Sequence, residues 1–379
     1  MPRLVPGRSS PPETASNIVQ HSVSNKLDAD LLVAGGGPAG LAAAILGARA
    51  GLRVRLIEPK AGVIDKACGE GLMPSAVARL RGLGVEGIDG RPFRGIRYVD
   101  GAAVAEADFP SGPGLGVRRL ALHGGLLAAA ERAGVDWVCD RVRGLDQDQD
   151  SVTVQLEGGG RLRGAHLLAA DGLRSPIRAL LGLGLPPLRP LRVGLRQHFR
   201  VAPWSDFVEV HWAEGAEAYV TPVSEDTVGV AFLMNRDHPL AAEGGPPMAA
   251  LLRRFPAIGD RVSAVASAPR GAGPFEQRTR SAVSGRVLLV GDAAGYLDPL
   301  TGEGIKLGLS GAEAAVNAVL RADPGGYVRA LAGITRRYWW MTDGLLRLSR
   351  PPLLRRALVP FLQRAPFVMR AVLAALGDG

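Results

Sequence analysis

The stretch Leu31-Leu32-Val33-Ala34-Gly35-Gly36-Gly37-Pro38-Ala39-Gly40 decides the fold of this chain. Its four apolar residues predict a short buried strand, glycines follow at once, and the residues from Ala39 to Ala50 are strong helix formers. Arg53 to Ile57 predicts a second strand, and Glu58 stands at the end of it. A G-x-G-x-x-G turn between a strand and a helix, with an acid after the next strand, indicates a dinucleotide-binding βαβ unit.

Each glycine of this fingerprint has its own physical task. Gly35 permits the tight turn, Gly37 lets the backbone approach a pyrophosphate, and Gly40 allows close packing of the helix. The helix N-terminus favours the phosphate charge, and Glu58 can accept hydrogen bonds from an adenosine ribose. The fingerprint alone does not separate NAD from FAD. The cofactor-binding residues expected in this stretch are Gly35, Gly37, Pro38, Ala39, Gly40 and Glu58.

Two later segments distinguish between these cofactors. They are Ala170-Asp171-Gly172-Leu173-Arg174-Ser175-Pro176-Ile177-Arg178 and Gly291-Asp292-Ala293-Ala294-Gly295-Tyr296-Leu297-Asp298-Pro299-Leu300-Thr301-Gly302-Glu303-Gly304. Together with the fingerprint, they resemble the three flavin motifs of the aromatic-hydroxylase fold, which class A flavoprotein monooxygenases share with geranylgeranyl reductases. The resemblance covers residues 28 to about 320 and implies that the chain binds FAD.

The resemblance assigns further residues to the cofactor. Asp292 follows a buried strand, where its carboxylate would accept hydrogen bonds from the ribityl hydroxyls. Gly302 and Gly304 open a helix whose N-terminus, by resemblance, faces the pyrimidine edge of the flavin. Asp171 either contacts the cofactor or caps the helix that begins near Ser175. Arg119 stands in the register of the family's flavin-contacting arginine. The residues expected to bind the cofactor are Arg119, Asp171, Gly291, Asp292, Pro299, Gly302 and Gly304.

The loop from Lys66 to Leu72 resembles the cysteine-glycine loop of the reductase branch, in which it lies beside the isoalloxazine. Ala67 stands where that branch usually has proline. Cys68 is therefore a candidate thiol near the flavin, but free cysteines are more often inert packing residues, and we expect that role. The tryptophans do not form the W-x-W-x-I-P pattern of the related halogenases.

The motifs predict an α/β fold: a Rossmann-like FAD-binding domain with an inserted antiparallel β-sheet substrate domain and C-terminal helices. Alternation from Val193 to Leu233 predicts a β-sheet, and the resemblance implies that this sheet roofs the isoalloxazine, with Trp212 or Tyr219 touching the substrate. Four prolines in the last fifty residues predict short, broken helices. The expected segments are a disordered leader at 1–27, an FAD-binding domain at 28–186 and 275–325, a substrate domain at 187–274, and C-terminal helices at 326–379.

The composition limits the cellular compartment and the kinds of partner that we expect for this protein. The 379 residues are 47% hydrophobic and carry a formal charge of +9, but no nucleic-acid motif accompanies the positive charge. With Cys68 and Cys139 as the only cysteines, and with no long apolar run, we expect a cytoplasmic protein without a disulfide framework and without a bound metal. The arginine-rich segment from Leu345 to Gly379 could contact a membrane peripherally, although packing on the flavin domain is the favoured alternative.

The reaction is open at this point between two chemistries that the bound flavin performs. We expect an NAD(P)H-dependent monooxygenase that hydroxylates a hydrophobic aromatic or polyketide-type substrate, with NAD(P)H bound transiently because no second nucleotide fold is apparent. The alternative is reduction of isoprenoid double bonds, toward which the segment from Thr301 to Ile305 leans. Halogenation is a distant third, and a non-catalytic FAD-binding or membrane-surface module is the non-enzymatic alternative.

Overall fold

The fingerprint strand lies in the middle of an eight-stranded sheet. The computed structural model describes residues 26–237, 248–349 and 351–377. The fingerprint strand, Ala29–Ala34, pairs in parallel with Val54–Ile57 and with Arg161–Ala169, and Asp136–Val138 and Val287–Leu289 extend the parallel order on the two sides. Numbered in chain order, the strands of this sheet are β1 (Ala29–Ala34), β2 (Val54–Ile57), β8 (Asp136–Val138), β9 (Val142–Gln147), β10 (Val152–Leu156), β11 (Arg161–Ala169), β20 (Val283–Ser284) and β21 (Val287–Leu289).

The parallel order brings the three motifs together. Parallel strands end at the same edge of a sheet, and cofactors bind at that edge in doubly wound folds. Gly35 follows β1, Glu58 follows β2, Asp171 lies just beyond β11, and Gly291 lies just beyond β21. Segments that are far apart in sequence therefore meet at one edge, as the predicted Rossmann-like fold requires.

Helices cover this sheet and bury its apolar residues. Leu31, Val33, Leu41 and Leu309 belong to a single core between the sheet and the helices that pack on it. The helices are α1 (Pro38–Arg49), α2 (Pro74–Gly82), α3 (Arg119–Arg132), α4 (Pro176–Leu180), α5 (Met248–Arg254), α6 (Pro256–Gly259), α7 (Gly304–Leu320), α8 (Pro324–Ser349), α9 (Pro352–Arg364) and α10 (Pro366–Gly377).

A second eight-stranded sheet forms the substrate domain. Its strand pairs are antiparallel except for the pair Phe207–Ala213 and Gly95–Asp100, which is parallel. Its strands are β5 (Gly95–Asp100), β6 (Ala103–Asp108), β13 (Arg192–Arg200), β14 (Phe207–Ala213), β15 (Ala216–Pro222), β16 (Thr227–Asn235), β17 (Ala264–Val265) and β18 (Arg270–Ala272). Smaller sheets contain β3 (Gly71–Leu72), β4 (Arg91–Phe93) and β7 (Gly114–Gly116), and the pair β12 (Gly184–Leu185) and β19 (Arg278–Thr279).

The β5–β6 hairpin extends the second sheet beyond the segment expected from the sequence. The expected boundaries place residues 95–108 in the FAD-binding domain, whereas Phe207 to His211 of β14 pair with Gly95 to Val99 of β5. The sheet also buries the hairpin's alternate residues, Ile96 and Tyr98 among them. The segment 187–274 therefore does not contain the whole sheet. Of the expected leader at 1–27, residues 1–25 lie outside the described residues.

The C-terminal helices differ from the short, broken helices that the prolines predict. Helix α8 has 26 residues, because its only proline is Pro324 at its first position. Pro352 and Pro366 likewise begin α9 and α10, where a missing N–H costs nothing, but Pro360 lies inside α9. Within the described ranges, no single helix is long and apolar enough to cross a membrane; α9 and the first ten residues of α10, bent by 99°, meet that test only as a pair, by length and composition.

Helix α8 is tied to the third motif by one tyrosine. The Tyr338 hydroxyl oxygen accepts hydrogen bonds from the backbone N–H groups of Leu297 (3.1 Å) and Asp298 (2.9 Å). The same hydroxyl donates to the Asp298 carbonyl at 2.9 Å. Because the Tyr338 side chain is buried, these bonds are shielded from water, and they fix the backbone just before Pro299.

Candidate cofactor and substrate site

The fingerprint glycines meet different surroundings. A Cβ atom at Gly35, where φ is +105°, would lie 2.4 Å from the Ala170 carbonyl oxygen, and one at Gly40 would lie 1.8 Å from the Gly35 carbonyl oxygen. A Cβ atom at Gly37 would meet no atom within 4 Å. Gly35 and Gly40 are therefore required by packing of the protein itself, whereas Gly37 faces open space at the N-terminus of α1.

That open space is part of a cavity of about 510 Å³ between the two sheets. Gly37, Pro38 and Ala39 line it at the fingerprint, and Pro299, Gly302 and Gly304 line it from the third motif. The second sheet supplies an apolar wall to the same cavity. The side chains of this wall are Ile96, Tyr98, Val208, Val210, Tyr219 and Leu233.

Glu58 lies at the cavity edge, where the sequence predicts a ribose contact. One carboxylate oxygen accepts a hydrogen bond from the Gly36 backbone N–H at 2.9 Å, and the other accepts one from the Lys60 N–H at 3.1 Å. Each oxygen retains a further lone pair for a hydroxyl group. His123 stabilises the same turn, because its Nε2 lies within hydrogen-bonding distance, 2.7 Å, of the Gly36 carbonyl oxygen. Sequence reasoning missed this residue. Burial lowers the pKa of His123.

Asp292 and Arg119 face the middle of the cavity with unused hydrogen-bonding atoms. The Asp292 carboxylate makes no hydrogen bond to any residue in the described ranges, and Arg119 Nε is buried without a partner there. Burial raises the pKa of Asp292, although the charges of Lys66, Arg119 and Arg178 oppose that rise. A carboxylate that borders the cavity and a buried donor left unpaired both fit a polar ligand with hydroxyl groups and acceptor atoms.

Asp171 caps a helix as well as lining the cavity. Its carboxylate accepts hydrogen bonds from the Ser175 hydroxyl at 2.6 Å and from the Ile177 backbone N–H at 3.0 Å. Burial raises its pKa, and these two hydrogen bonds oppose the rise. The two roles that the sequence leaves open are therefore compatible. The Asp171 carboxylate accepts hydrogen bonds at the start of α4, and the residue also lines the cavity.

Arg178 joins the second motif to the third, a role that sequence reasoning missed. Its guanidinium donates to the carbonyl oxygens of Leu173 (2.8 Å) and Ala293 (3.0 Å) and to Gln277 Oε1 (2.6 Å). The side chain is buried, and burial lowers its pKa, while Asp171 and Asp292 oppose that effect. Arg178 is the third residue of α4, and nothing in its local sequence marks it as a buried donor.

In the third motif, Gly291 and Gly302 adopt positive φ values of +63° and +71°, and a Cβ atom at Gly304 would lie 3.4 Å from the Tyr296 ring. Helix α7 begins at Gly304. These glycines form a cavity wall made of backbone, which leaves room for a flat ligand close to the N-terminus of α7.

Cys68 lies in the cavity wall, on a loop that the second sheet holds in place. The Thr221 hydroxyl donates to the Gly69 carbonyl oxygen at 2.9 Å. Burial raises the pKa of the Cys68 thiol, which keeps it protonated and weakens it as a nucleophile.

The two substrate-lining candidates have different surroundings. Tyr219 lines the cavity, its hydroxyl donates to the Leu300 carbonyl oxygen at 3.3 Å, and burial raises its pKa well above the usual value. Trp212 shares the face of Val208 and Val210, but it packs instead on Tyr98, with ring centroids 6.2 Å apart, under the C-terminal helices. Tyr219 is thus placed to meet a substrate, whereas Trp212 is a core residue behind the cavity wall.

The residues present fit FAD. The open space at Gly37 suits a pyrophosphate, Glu58 suits a ribose, Asp292 suits a ribityl chain, and the backbone wall at Gly302 suits a flat ring. The apolar wall of the second sheet then remains for a substrate beside that ring.

Comparisons with known proteins agree with this geometry. The family described as FAD binding domain matches residues 28–321. The chain is 32% identical over 307 residues to menaquinone reductase of Mycobacterium tuberculosis, covering 74% of each protein. It is 28% identical to digeranylgeranylglycerophospholipid reductase 1 of Methanopyrus kandleri, covering 75% of this chain and 78% of that protein. It is also 28% identical to rifampicin monooxygenase of Streptomyces venezuelae, covering 75% of this chain and 62% of that protein.

Solved structures agree on the fold. A flavoprotein/dehydrogenase from Cytophaga hutchinsonii superposes with a TM-score of 0.76 at 19% identity, covering 92% of each chain. The predicted α/β fold is confirmed, and the predicted superfamily is confirmed by relatives from both of its branches. The expectation of an FAD-dependent monooxygenase fits the monooxygenase relatives, and the alternative fits the reductases.

Proposed function

The chain belongs to the FAD binding domain family and is an FAD-dependent oxidoreductase, and we propose that it reduces a carbon–carbon double bond of a lipid-like isoprenoid substrate. The observation that carries the proposal is the single cavity that runs from the fingerprint to the apolar wall of the second sheet. An isoprenoid chain has no polar groups to satisfy, so Val208, Val210 and Leu233 can bury it by hydrophobic contact alone.

Bound FAD supplies hydride transfer, a chemistry that amino-acid side chains lack. The chain's own residues would hold and orient FAD: Glu58 would bind a ribose, Asp292 the ribityl hydroxyls, and Arg119 would donate through its unpaired Nε. The N-terminus of α7 at Gly304 favours negative charge on the reduced cofactor. Tyr219 and its apolar neighbours exclude water from the substrate. NAD(P)H is the proposed reductant.

Reduction is favoured over hydroxylation by two features. Relatives named reductases include the protein of Mycobacterium tuberculosis at 32% identity and an archaeal protein named for a prenylated phospholipid. The Cys68 loop, which resembles that of the reductase branch, forms part of the cavity wall. Hydroxylation of a hydrophobic aromatic substrate is the second candidate, because rifampicin monooxygenase and 6-methylpretetramide 4-monooxygenase are also relatives.

A mass measurement separates the two reactions. FAD-loaded protein would be reduced with NADH or NADPH under nitrogen, which also identifies the reductant by bleaching of the flavin absorbance, and then mixed with menaquinone or a geranylgeranyl lipid. Reduction of a side-chain double bond adds two hydrogen atoms without oxygen, and these remain after air re-oxidises any menaquinol formed by reduction of the quinone ring. Hydroxylation adds one oxygen atom and needs air. A product that forms only in air would overturn the proposed reaction and support the second candidate.

We also propose that the C-terminal helices dock on an anionic membrane, where such a substrate resides. Leu353 is 82% exposed, Phe367 is 70% exposed and Phe361 is 54% exposed. Between Gly344 and Gly377 the sequence has six arginines and no acidic residue. Apolar side chains for the acyl boundary and arginines for anionic headgroups are what an interfacial helix pair requires, and each arginine near the surface contributes about 1 kcal/mol.

The opposite face of these helices packs beside the substrate cavity. Leu362, Met369 and Leu373 share one apolar cluster with Tyr98 and Val208 of the cavity wall. The C-terminal helices and the cavity wall are therefore two sides of one apolar cluster.

Co-sedimentation with vesicles tests the docking. We expect the protein to pellet with vesicles that contain phosphatidylglycerol, less with pure phosphatidylcholine, and less at high salt. The double variant Leu353→Ser/Phe367→Ser should remain in the supernatant. Leu180→Ser is the matched control, because Leu180 is 50% exposed but lies on α4, outside the C-terminal helices. Equal pelleting of the double variant and the wild type would overturn the docking proposal.

A further inference from the structure

One row of side chains crosses the second sheet on the face that lines the cavity. Arg196 of β13 pairs with Ala231 of β16, and Ala231 pairs with Tyr219 of β15. Tyr219 in turn pairs with Val210 of β14, and Val210 pairs with Tyr98 of β5. All five residues line the cavity. Neighbouring strands lie about 4.8 Å apart, so the row extends over about 19 Å from Arg196 to Tyr98.

The middle of the row suits a hydrocarbon chain. Val210 and Ala231 have no polar side-chain atom, and the Tyr219 hydroxyl already donates to the Leu300 carbonyl oxygen. Ala231 has the smallest side chain of the row, so it leaves space between its two larger neighbours. A chain laid along the row therefore needs no hydrogen-bonding group between its two ends.

The Arg196 end of the row has an unused charged donor. Nη1 lies 3.1 Å from His198 Nδ1, and Nη2 donates to Asp65 Oδ1 at 2.8 Å and to the Lys66 carbonyl oxygen at 3.3 Å. These contacts fix the guanidinium but do not use Nε, which is buried and has no partner among the residues that the structure describes. A ligand that brings an acceptor oxygen to Nε therefore gains a charge-assisted hydrogen bond.

The charges around Arg196 favour an uncharged acceptor over a phosphate. Asp65 pairs with Arg196 and also with Arg270, whose Nε lies 3.1 Å from Asp65 Oδ2. A second carboxylate, that of Glu70, has its Oε1 3.7 Å from Arg196 Nη2. Two arginines thus face two carboxylates, and this cluster has no excess positive charge to offset a phosphate. A ketone oxygen accepts a hydrogen bond without adding a charge.

The Tyr98 end of the row lies next to the C-terminal helices. Tyr98 shares an apolar cluster with Leu362 of α9 and Met369 of α10. Its hydroxyl makes no hydrogen bond within the described part of the chain, so it is a second candidate donor. A hydrogen bond from a charged donor is roughly twice as strong as one between neutral groups. An acceptor oxygen on the substrate should therefore lie at Arg196, with the hydrocarbon at Tyr98.

We propose that Arg196 Nε binds the carbonyl oxygen of an uncharged ring ketone at the head of the substrate, and that the isoprenoid chain extends along the row to Tyr98. This rests on the proposed function, whose substrate is an isoprenoid lipid, and it narrows that class to prenylated quinones. Arg196 is then a specificity residue, because a fixed head determines how far along the row each double bond lies and so which double bond is reduced.

Ligand binding to the oxidised, FAD-loaded protein tests this contact without turnover. Two ligands with the same isoprenoid chain would be titrated: a prenylated naphthoquinone and the matching prenylated naphthalene, which has no oxygen. Arg196→Lys keeps a positive charge beside Asp65 but has a methylene group where Nε stands. We expect the ratio of quinone affinity to naphthalene affinity to fall about 10- to 100-fold in this variant, the equivalent of one charge-assisted hydrogen bond. Naphthalene affinity and FAD affinity should not change.

Tyr98→Phe is the matched comparison, because it removes only the hydroxyl at the other end of the row. We expect it to keep the wild-type ratio. A ratio that falls in Tyr98→Phe but not in Arg196→Lys would place the head at Tyr98 and overturn the proposal. A prenyl phosphate that binds the wild type more tightly than the quinone, and loses that advantage in Arg196→Lys, would also overturn it, because the head would then be anionic.

Infrared difference spectroscopy provides a readout that needs no Arg196 variant. A hydrogen bond from a guanidinium lowers the stretching frequency of the carbonyl that accepts it. With quinone bound to the FAD-loaded protein, we expect one of its two carbonyl bands at a lower frequency than in detergent, in the wild type and in Tyr98→Phe alike. Two unshifted bands, or a shift that disappears in Tyr98→Phe, would overturn the proposal.

The outcomes separate this inference from the proposed function. If the protein reduces prenyl lipids but Arg196→Lys keeps the wild-type affinity ratio, the proposed function stands and the Arg196 contact is overturned. If the protein binds the quinone through Arg196 but reduces no prenyl lipid, the contact stands and the proposed function is overturned. A loss of FAD affinity in Arg196→Lys, with the ratio unchanged, would assign Nε to the cofactor instead. A wild type that binds neither ligand removes both.

Discussion

At the scale of single residues, we expect Gly40 to matter for the stability of the fold and Gly37 for cofactor binding. A side chain at Gly37 would enter only the cavity, whereas one at Gly40 would overlap the Gly35 carbonyl oxygen. We expect Gly37→Val to melt at the wild-type temperature but to lose FAD binding. Gly40→Val is the matched comparison and should unfold at a lower temperature. Thermal melts and FAD titrations of both variants check this, and a Gly37→Val protein that binds FAD normally would place the pyrophosphate elsewhere.

A second prediction concerns Asp292. Its carboxylate lines the cavity and makes no hydrogen bond to any residue that the structure describes, and burial raises its pKa, so the folded protein without FAD gains little from its charge. Asp292→Ala should therefore fold as stably as the wild type. FAD affinity should fall about 10- to 100-fold, the equivalent of one charge-assisted hydrogen bond. Fluorescence titration of the FAD-free protein measures this, and Asp146→Ala, an exposed acid on β9, serves as the control.

Sequence patterns predict the backbone conformation that a residue must adopt better than they predict which distant residue its side chain contacts. Gly35, Gly40 and Glu58 could be assigned from the sequence, because the fingerprint states a local geometry that only those residue types satisfy. The pairing of Glu70 with His198, whose Oε2 and Nε2 atoms lie 2.6 Å apart, could not, because the two residues are 128 positions apart in the sequence. The buried contacts of Arg178 were missed for the same reason.

At the scale of elements, alternation along β14 and β15 predicts which side chains share a face but not where a face stops lining the cavity. Trp212 continues the face of Val208 and Val210 yet lies under the C-terminal helices. The sequence also did not predict which strand pairs with β14. Gly95 to Asp100 has the pattern of a strand, but nothing in that pattern indicates its neighbour in the sheet. Strand partners depend on contacts between distant segments.

The two aromatic residues should therefore respond differently to truncation. Tyr219→Ala opens the cavity, so we expect retained FAD, weaker coupling of NAD(P)H oxidation to product, and more peroxide released in air. Trp212→Ala removes a core side chain and should lower the free energy of unfolding by about 3–5 kcal/mol. Urea unfolding and a peroxide assay on both variants check this. Full coupling in Tyr219→Ala would show that the second sheet does not shape the substrate site.

At the scale of the whole molecule, one buried acid contributes to stability against low pH. Glu209 on β14 accepts hydrogen bonds from His211 Nε2 (3.0 Å), Trp204 Nε1 (3.1 Å) and Arg97 Nη1 (3.1 Å). Burial raises the pKa of Glu209, but these bonds outweigh burial and lower it from 4.5 to about 2. The folded state therefore favours the ionised form, and its contribution is complete above pH 4.5 and lost as the pH falls toward 2.

Glu209→Gln should accordingly be less stable than the wild type at neutral pH, by on the order of 1–2 kcal/mol. The difference should shrink as the pH falls below 4.5, because the wild-type carboxylate then takes up a proton on unfolding. Urea unfolding across the acidic range measures this, with the exposed Glu157→Gln as the control. A difference that does not change with pH would assign the effect to geometry instead of charge.

The bonds from Tyr338 to the third motif have a consequence for cooperativity. A segment that relies on a distant helix for its backbone hydrogen bonds cannot open by itself, so amide exchange at Leu297 and Asp298 should report on α8 as much as on the loop. The C-terminal helices therefore belong to the same unfolding unit as the cofactor loop. Proteolytic removal of the chain from α8 onward would release the loop as well as the tail.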